Sequence, residues 1–568
     1  MVTEPSDGAT FTATLVDEWI ALGLKHAVVA PGSRSTPLAI ALASRYEIDV
    51  HVFHDERSAA FCALGIGVST GVPAVVLCTS GTAATHFHAA VVEAGLSLVP
   101  MIVCTADRPP ELQGVGAPQT IDQQHLYGGA VRDFLNVDPQ SPSDAPTWRG
   151  IARRMWSTSR DALNPGPVHL NLGFREPLVG TVGDLPPRTA NEEVAGVAVS
   201  VDTAITTSLA SRRGLVVVGE GVQDFDAVAS WLDRLGWPII ADPRSGLRVT
   251  EERLAGAPII SAADPILRSS VMQERLAPEV IVRLGEPPVS KVVNGWLANL
   301  NVPYIALSRR PIVTNPERCV THSATGPLES MLESIGAIDG SPDEQWIADW
   351  RAAESIARAV IDQAMMDAPL HEAKVAHLLS DQAGDDTVLM LSSSMPVRDV
   401  EWFAGHRNDL RVLCNRGANG IDGVIATSIG IALGSRGPVT VLIGDVAFVH
   451  DSSSLVNIVD HAVDLHIVLI DNRGGGIFSF LPQATALEQD QFEKLFGTPH
   501  STDFEALCRA HGVEYHEVST EESLIEVSLR DGVRLSHVRS DRARNVEIHR
   551  ELNDAVVGEL ERAFSTGG

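Results

Sequence analysis

Short unbroken aliphatic runs recur along this chain, separated by longer stretches in which apolar residues return every three or four positions. HAVVA (26–30), DVHVF (49–53), AVVLC (74–78), PMIVC (100–104) and VHLNL (168–172) alternate with segments such as TPLAIALASRY and TAATHFHAAVVEAG. Runs of four to seven β-branched and aliphatic residues predict strands buried on both faces, and the intervening period predicts helices. The pattern stops at the Pro- and Gly-rich stretch VGDLPPRTANEEVAG (182–196) and resumes with GLVVVGEG, PIIAD, VIVRLGEP and PYIAL. It breaks again at AIDGSPDEQ, where the helix-favouring WIADWRAAESIARAVIDQAM leads into TVLMLSSS, RVLCNRG, VTVLIGD, LHIVLIDNRG and VRLSHV. The expectation is an α/β protein of three doubly wound parallel-sheet units, at residues 1–182, 196–340 and 345–568.

A length of 568 residues agrees with several cores, because single cores rarely grow beyond about 300 residues. With 43 basic against 72 acidic residues the net charge is −29, which disfavours nucleic acid and anionic membrane surfaces as partners. Six cysteines (Cys62, Cys78, Cys104, Cys319, Cys414, Cys508) form no C-x-x-C pair and mostly sit in apolar surroundings, so free buried thiols in a reducing cytoplasm are expected. No basic, apolar leader opens the chain and no run reaches 18 apolar residues, so neither a signal peptide nor a membrane span is expected.

Two strand ends carry the first candidate chemistry. Gly444-Asp445 follows VTVLI, and Asn472 follows LHIVLI 27 residues after Asp445. A strand, a crossover helix and a second parallel strand occupy about 30 residues, so Asp445 and Asn472 can meet at the carboxyl edge of one sheet, where ligands of open α/β folds bind. One carboxylate and one amide suit a hard divalent cation shared with a diphosphate. Alone, Asp445 is an ordinary helix cap and the Asn-Arg-Gly-Gly segment an ordinary turn. The pair resembles the metal–diphosphate motif of thiamine diphosphate enzymes, with Val446 where the opening triplet usually has Gly.

That resemblance gives further residues their expected roles. Glu56, at the start of a helix after DVHVF, is by itself a common first-turn acid. Together with the metal motif, it matches the glutamate that hydrogen-bonds the aminopyrimidine of the cofactor and activates it. The loop NRGANGIDG (415–423) matches the segment whose backbone at Ala418 and Asn419 contacts the cofactor, with Ile421 as the aliphatic wedge that bends it. Gly444, Val446, Ala447 and Ser394 complete the expected cofactor contacts.

Arginines point to the substrate. Arg34, Arg108, Arg398 and Arg416 each lie beside a predicted strand end, and guanidinium forks bind carboxylates bidentately, so a substrate with several carboxylates is implied. The phrases PGSRSTPL, ADRPPELQGVGAPQTIDQ and NRGANGIDG, with HDER and GDVAFVHD, resemble the 2-succinyl-5-enolpyruvyl-6-hydroxy-3-cyclohexene-1-carboxylate synthases of menaquinone biosynthesis over essentially the whole chain. The resemblance implies decarboxylation of 2-oxoglutarate on thiamine diphosphate and addition of the succinyl carbanion equivalent to isochorismate. Asp445, Asn472 and the carbonyl of Gly474 would hold Mg²⁺, or Mn²⁺ in its place. Ser394 and Arg398 would grip the oxoglutarate-derived carboxylate. Ser33, Arg34, Arg108, Gln119, Lys291 and Arg416 would face isochorismate or position the adduct, with Ile477 and Phe478 as apolar walls. Pro118 and Val292 depart from the family pattern, which has Asn and Arg there. The family also implies a homodimer at least, or a tetramer, with the cofactor between the first unit of one copy and the third of another. Two other readings stay open at this point: a pyruvate-using thiamine enzyme with fewer arginines in its cleft, and a non-catalytic binding protein on the same fold.

Overall fold

The structure is a computed structural model that describes residues 6–138, 144–188, 201–222, 225–254, 256–336, 338, 342–456 and 458–565. Three six-stranded sheets follow one another along the chain, and every pairing between their strands is parallel. The first contains β1 (His26–Val29), β2 (Asp49–Val52), β3 (Ala74–Cys78), β4 (Met101–Asp107), β5 (Phe134–Val137) and β6 (Pro167–Gly173), in the order β2-β1-β3-β4-β6-β5. The second contains β7 (Gly214–Val218), β8 (Ile239–Ala241), β9 (Ile259–Ile260), β10 (Val280–Leu284), β11 (Tyr304–Ser308) and β12 (His322–Thr325), in the order β12-β11-β10-β7-β8-β9. The third contains β13 (Val388–Leu391), β14 (Arg411–Cys414), β15 (Val439–Gly444), β16 (Leu465–Asp471), β17 (Glu514–Val518) and β18 (Val533–Arg539), in the order β14-β13-β15-β16-β18-β17.

The first and third sheets therefore share one topology, whereas the middle sheet has the 3-2-1-4-5-6 order of dinucleotide-type folds. In the third sheet the strand order reverses between β13 and β15, which opens a crevice at their carboxyl ends. Central strands such as β3, β4, β6, β7, β10, β11 and β16 are buried at every position, as continuous aliphatic runs require. The expected linkers at 182–196 and 337–345 lie partly outside the described residues.

Two helices join the first unit to the third. Glu56–Thr70 starts at Asp55, whose carboxylate accepts from Arg57 N, and ends at Gly71 in the left-handed region. It packs on Val424–Ser435, and the small residues of both let the backbones touch: a Cβ at Gly65 would lie 2.1 Å from the Thr427 carbonyl oxygen. Asp451 accepts from the N–H groups of Ile425 (2.7 Å) and Ala426 (3.0 Å), capping the second helix, and its other oxygen accepts from Ser454. The Ser454 hydroxyl in turn lies 2.8 Å from the Ser58 hydroxyl on the first helix, from which it can accept. The middle unit is tied to the third through buried Arg248, which donates to the carbonyls of Val400, Glu401 and Ala404.

All six cysteines are free; Cys62, Cys78, Cys104 and Cys508 are buried, while Cys319 and Cys414 are half-buried. Among the described residues no helix is long and apolar enough to cross a membrane.

Candidate active site

A cavity of 440 Å³ opens at the β13/β15 switch point, lined by the segments that leave β13, β14, β15 and β16. Thirteen of the residues singled out in the sequence line it: Ser394, Arg398, Arg416, Asn419, Ile421, Gly444, Asp445, Val446, Ala447, Asn472, Gly474, Ile477 and Phe478. Its rim carries backbone held in the left-handed half of φ space at non-glycine residues, Ser394 (φ 77°), Asn419 (φ 64°) and Arg473 (φ 59°). Such conformations cost on the order of 1–3 kcal/mol each and cluster where a ligand dictates the backbone.

Asp445 begins the helix Asp445–His450 and is 1% exposed. Its Oδ1 accepts from Val446 N at 2.7 Å and its Oδ2 from Gly474 N at 2.8 Å, so strand ends β15 and β16 are already clasped together. Burial pushes its carboxyl up to about 6 in spite of the bond from Gly474. A buried carboxylate in that condition is short of positive charge, which a bound divalent cation would supply. Val446 sits inside the helix with ordinary helical geometry, so the glycine usual at this place is not required by the backbone here.

Asn472 supplies the second observation. Its Nδ2 donates to Glu372 Oε1 at 3.2 Å, and its Oδ1 is buried with no hydrogen-bond partner. An orphaned amide oxygen beside a buried carboxylate is the donor set a hard cation takes. The residues present thus fit the expected metal and diphosphate. Behind them, Asp471 and His500 bring a further carboxylate and imidazole within 4.8 Å of the Asp445 carboxylate, His500 Nε2 lying 3.3 Å from Asp445 Oδ2.

Arg398 and Arg416 also line the cavity. Arg398 stands one turn into the helix Met395–Phe403 and donates to the Ser394 carbonyl. Burial lowers its pKa and the neighbouring Arg416 lowers it further. Among the described residues neither guanidinium is in a salt bridge, and two such groups facing one cavity form a receptor for an anion.

The remaining predicted residues stand elsewhere. Glu56 does not line the cavity; it heads its helix at the carboxyl end of β2, in the first unit. Ala418 is exposed, and its N–H donates to Glu93 Oε2 at 2.7 Å, while Gly417 N donates to Glu93 Oε1 at 2.7 Å, so a buried acid of the first unit fixes the loop that carries Asn419 and Ile421. Ser33 is exposed after β1. Arg34 is buried, with Nη1 donating to the Phe174 carbonyl at 2.9 Å, Nη2 3.3 Å from Glu176, and Nε without a partner. Arg108 follows β4 and donates to the Pro118 carbonyl, and Gln119 is exposed with φ 53°. Lys291 is exposed at the start of the helix Lys291–Asn299 on the middle unit. Of the four arginines, Arg398 and Arg416 line the cavity, whereas Arg34 and Arg108 stand beside strand ends of the first sheet.

Sequence reasoning missed the buried polar residues beneath the cavity. Glu372 and Asp399 both line it, and His549 donates from Nε2 to Asp399 at 2.7 Å. Burial, then the charge of Asp399, raises Glu372 to about 7. The available signal was acids on the apolar faces of HEAKVAHLL and MPVRDVEWF, which separate from surface charge only when neighbouring elements are in place.

Comparison with known proteins gives the class. Three family models match in chain order: the N-terminal TPP binding domain of thiamine pyrophosphate enzymes at residues 9–126, the middle domain of thiamine pyrophosphate at 190–391, and the C-terminal TPP binding domain at 401–534. The solved benzoylformate decarboxylase from Polynucleobacter necessarius shares the fold, with a TM-score of 0.69 over 95% of this chain and 99% of that one at 18% identity. Fold and cavity thus define a thiamine diphosphate enzyme. Curated relatives named 2-succinyl-5-enolpyruvyl-6-hydroxy-3-cyclohexene-1-carboxylate synthase match nearly end to end. That of Saccharopolyspora erythraea is 40% identical over 96% of this chain and 98% of its own length, and that of Chloroflexus aurantiacus 37% identical over 98% and 97%. The chain belongs to the 2-succinyl-5-enolpyruvyl-6-hydroxy-3-cyclohexene-1-carboxylate synthase family.

Proposed function

We propose that the chain performs its family's reaction with the residue roles that follow. It decarboxylates 2-oxoglutarate and adds the resulting succinyl unit to isochorismate, releasing CO2, in menaquinone biosynthesis. The observation that carries this reading is the cavity that brings together a pair suited to a cation, Asp445 and Asn472, and two guanidiniums, Arg398 and Arg416, that are in no salt bridge among the described residues. A pyruvate-using enzyme binds a single carboxylate and needs fewer arginines.

Thiamine diphosphate, when bound, supplies the electron sink for decarboxylation and the carbon that attacks the acceptor. Asp445, the Asn472 Oδ1 and the Gly474 carbonyl hold Mg²⁺, or Mn²⁺, against the diphosphate. Gly444, Val446 and Ala447 present the start of the helix Asp445–His450 to it, and Asn419 and Ile421 support the ring system, with Ala418 contributing backbone. Glu56 would hydrogen-bond the aminopyrimidine ring of the cofactor. Ser394 and Arg398 take the oxoglutarate-derived carboxylate, Arg416 and Lys291 take carboxylates of the acceptor, and Ile477 and Phe478 exclude water. Ser33, Arg34, Arg108 and Gln119 reach the acceptor from the first unit.

Because Glu56 lies outside the cavity of its own chain, a second copy is inferred to bring its first unit over this third unit, making a homodimer the smallest active form. A charge of −29 supports a soluble cytoplasmic enzyme whose partners are these small anions and copies of itself, with no nucleic acid. The test is ultraviolet monitoring of isochorismate with 2-oxoglutarate, thiamine diphosphate and Mg²⁺, each omitted in turn. Consumption that requires all of them is expected; turnover of pyruvate without isochorismate overturns the reading.

A further inference from the structure

Glu372 stands at the first position of the helix Glu372–Gln382 and is 2% exposed. Its Oε1 accepts from Asn472 Nδ2 at 3.2 Å, and the Ser540 hydroxyl also holds the carboxylate. Ser540 is itself fixed through its N–H, which donates to the Asp471 carbonyl at 2.8 Å. The remaining atom of the Asn472 amide, Oδ1, is buried and unpartnered. Gly476 closes in on the amide, since a Cβ there would lie 2.6 Å from Asn472 Nδ2.

An asparagine side chain can present either its NH2 or its oxygen to a cation by turning half a revolution about its last bond, and only the oxygen binds. Once ionised, the Glu372 carboxylate accepts and does not donate, so in that form it selects the NH2 face and leaves the oxygen for the other side. We propose that Glu372 is the positioning residue of the metal site: it fixes the amide of Asn472 so that Oδ1 is committed to the cation before the cation arrives. This rests on the proposed role of Asn472 as a metal ligand and adds the residue that makes the ligand competent. Outer partners of this kind are worth about 10–100-fold in metal affinity.

The test titrates Mg²⁺ into full-length protein at saturating thiamine diphosphate and follows intrinsic tryptophan fluorescence, a binding signal independent of turnover. Glu372→Ala is expected to raise the apparent Mg²⁺ Kd by about tenfold or more. Glu372→Gln, whose amide can accept from Nδ2 or donate to Oδ1, no longer selects the NH2 face and is expected to give a loss between the parent and Glu372→Ala, whereas a merely structural role would leave this isosteric variant at the parent value. Should Glu372→Ala not fold, Glu372→Asp carries the test, because the carboxylate is withdrawn by one methylene and the same tenfold loss is expected. An unchanged Mg²⁺ Kd in Glu372→Ala with a lowered melting temperature overturns the proposal, as does a Mg²⁺ Kd in Glu372→Gln equal to the parent's. If the parent protein binds the cofactor without any need of Mg²⁺, it is the reading of Asn472 as a metal ligand that fails.

Discussion

Gly65 and Gly430 meet at the crossing of two helices, one from the first unit and one from the third, where a Cβ on Gly430 would lie 2.0 Å from the Cys62 carbonyl oxygen and 3.0 Å from the Gly65 Cα. The contact is backbone on backbone, so nothing can swing aside to admit a methyl group. Gly430→Ala is expected to destabilise the protein by about 1–3 kcal/mol or more through overpacking. Thermal and denaturant unfolding read this directly, and a melting temperature equal to the parent's would show that the helices can separate at no cost.

Glu93 reaches from the same first-unit surface to hold the Gly417 and Ala418 N–H groups. Glu93→Ala removes the acceptor that both N–H groups share and frees the loop bearing Asn419 and Ile421. Weaker thiamine diphosphate binding with Mg²⁺ affinity per bound cofactor retained is the expected result, measured by isothermal titration.

Glu56→Gln removes the one carboxylate assigned to activating the cofactor while leaving the helix start isosteric. Turnover should fall by several orders of magnitude, with the circular dichroism spectrum and cofactor affinity close to the parent's. Undiminished turnover sinks the assignment.

Arg398→Ala removes the half-buried guanidinium expected to hold the oxoglutarate-derived carboxylate. A rise of about tenfold or more in the KM for 2-oxoglutarate, equivalent to about 1.4 kcal/mol, is expected, with the KM for isochorismate much less affected. Steady-state kinetics with each substrate varied separately distinguishes the two.

Acid stability follows from two histidines buried inside sheets. His169, beside Thr105, and His466, beside Ser536, are each pushed down to about 3 by burial, and each keeps a buried ring nitrogen without a partner. Between about pH 6.5 and pH 3 the unfolded chain binds protons that the folded one refuses, so stability is present near neutrality and is lost as the pH falls through that window. Denaturant unfolding at pH 7 and pH 4.5 should show the drop, and His466→Gln should make it smaller.

Much of this was written in the chain itself. Continuous aliphatic runs can only be strands covered on both faces, so the interior strands of all three sheets are legible without coordinates. The four strands not foreseen, β5, β9, β12 and β17, are all at sheet edges. β5, β12 and β17 alternate or mix exposed and half-buried positions, and β9 is two residues long, so none carries the run that marks a central strand. That Asp445 and Asn472 reach one cavity was legible for a similar reason: strand-crossover-strand spacing fixes where they emerge.

Tertiary structure alone decided what lies beneath and beside that pair. Glu372, Glu93, Asp451 and Asp399 look in sequence like surface acids, because a carboxylate becomes a buried hydrogen-bond acceptor only through elements far away in the chain. The resemblance implied a cofactor between the first unit of one copy and the third of another, and within one chain the two sets of candidates do stand apart, with Arg398, Arg416, Asp445 and Asn472 in a cavity of the third unit and Glu56, Arg34 and Arg108 beside strand ends of the first sheet. Local pattern determines which strand end a residue occupies; which strand ends face each other depends on how whole sheets pack, and no single segment encodes that.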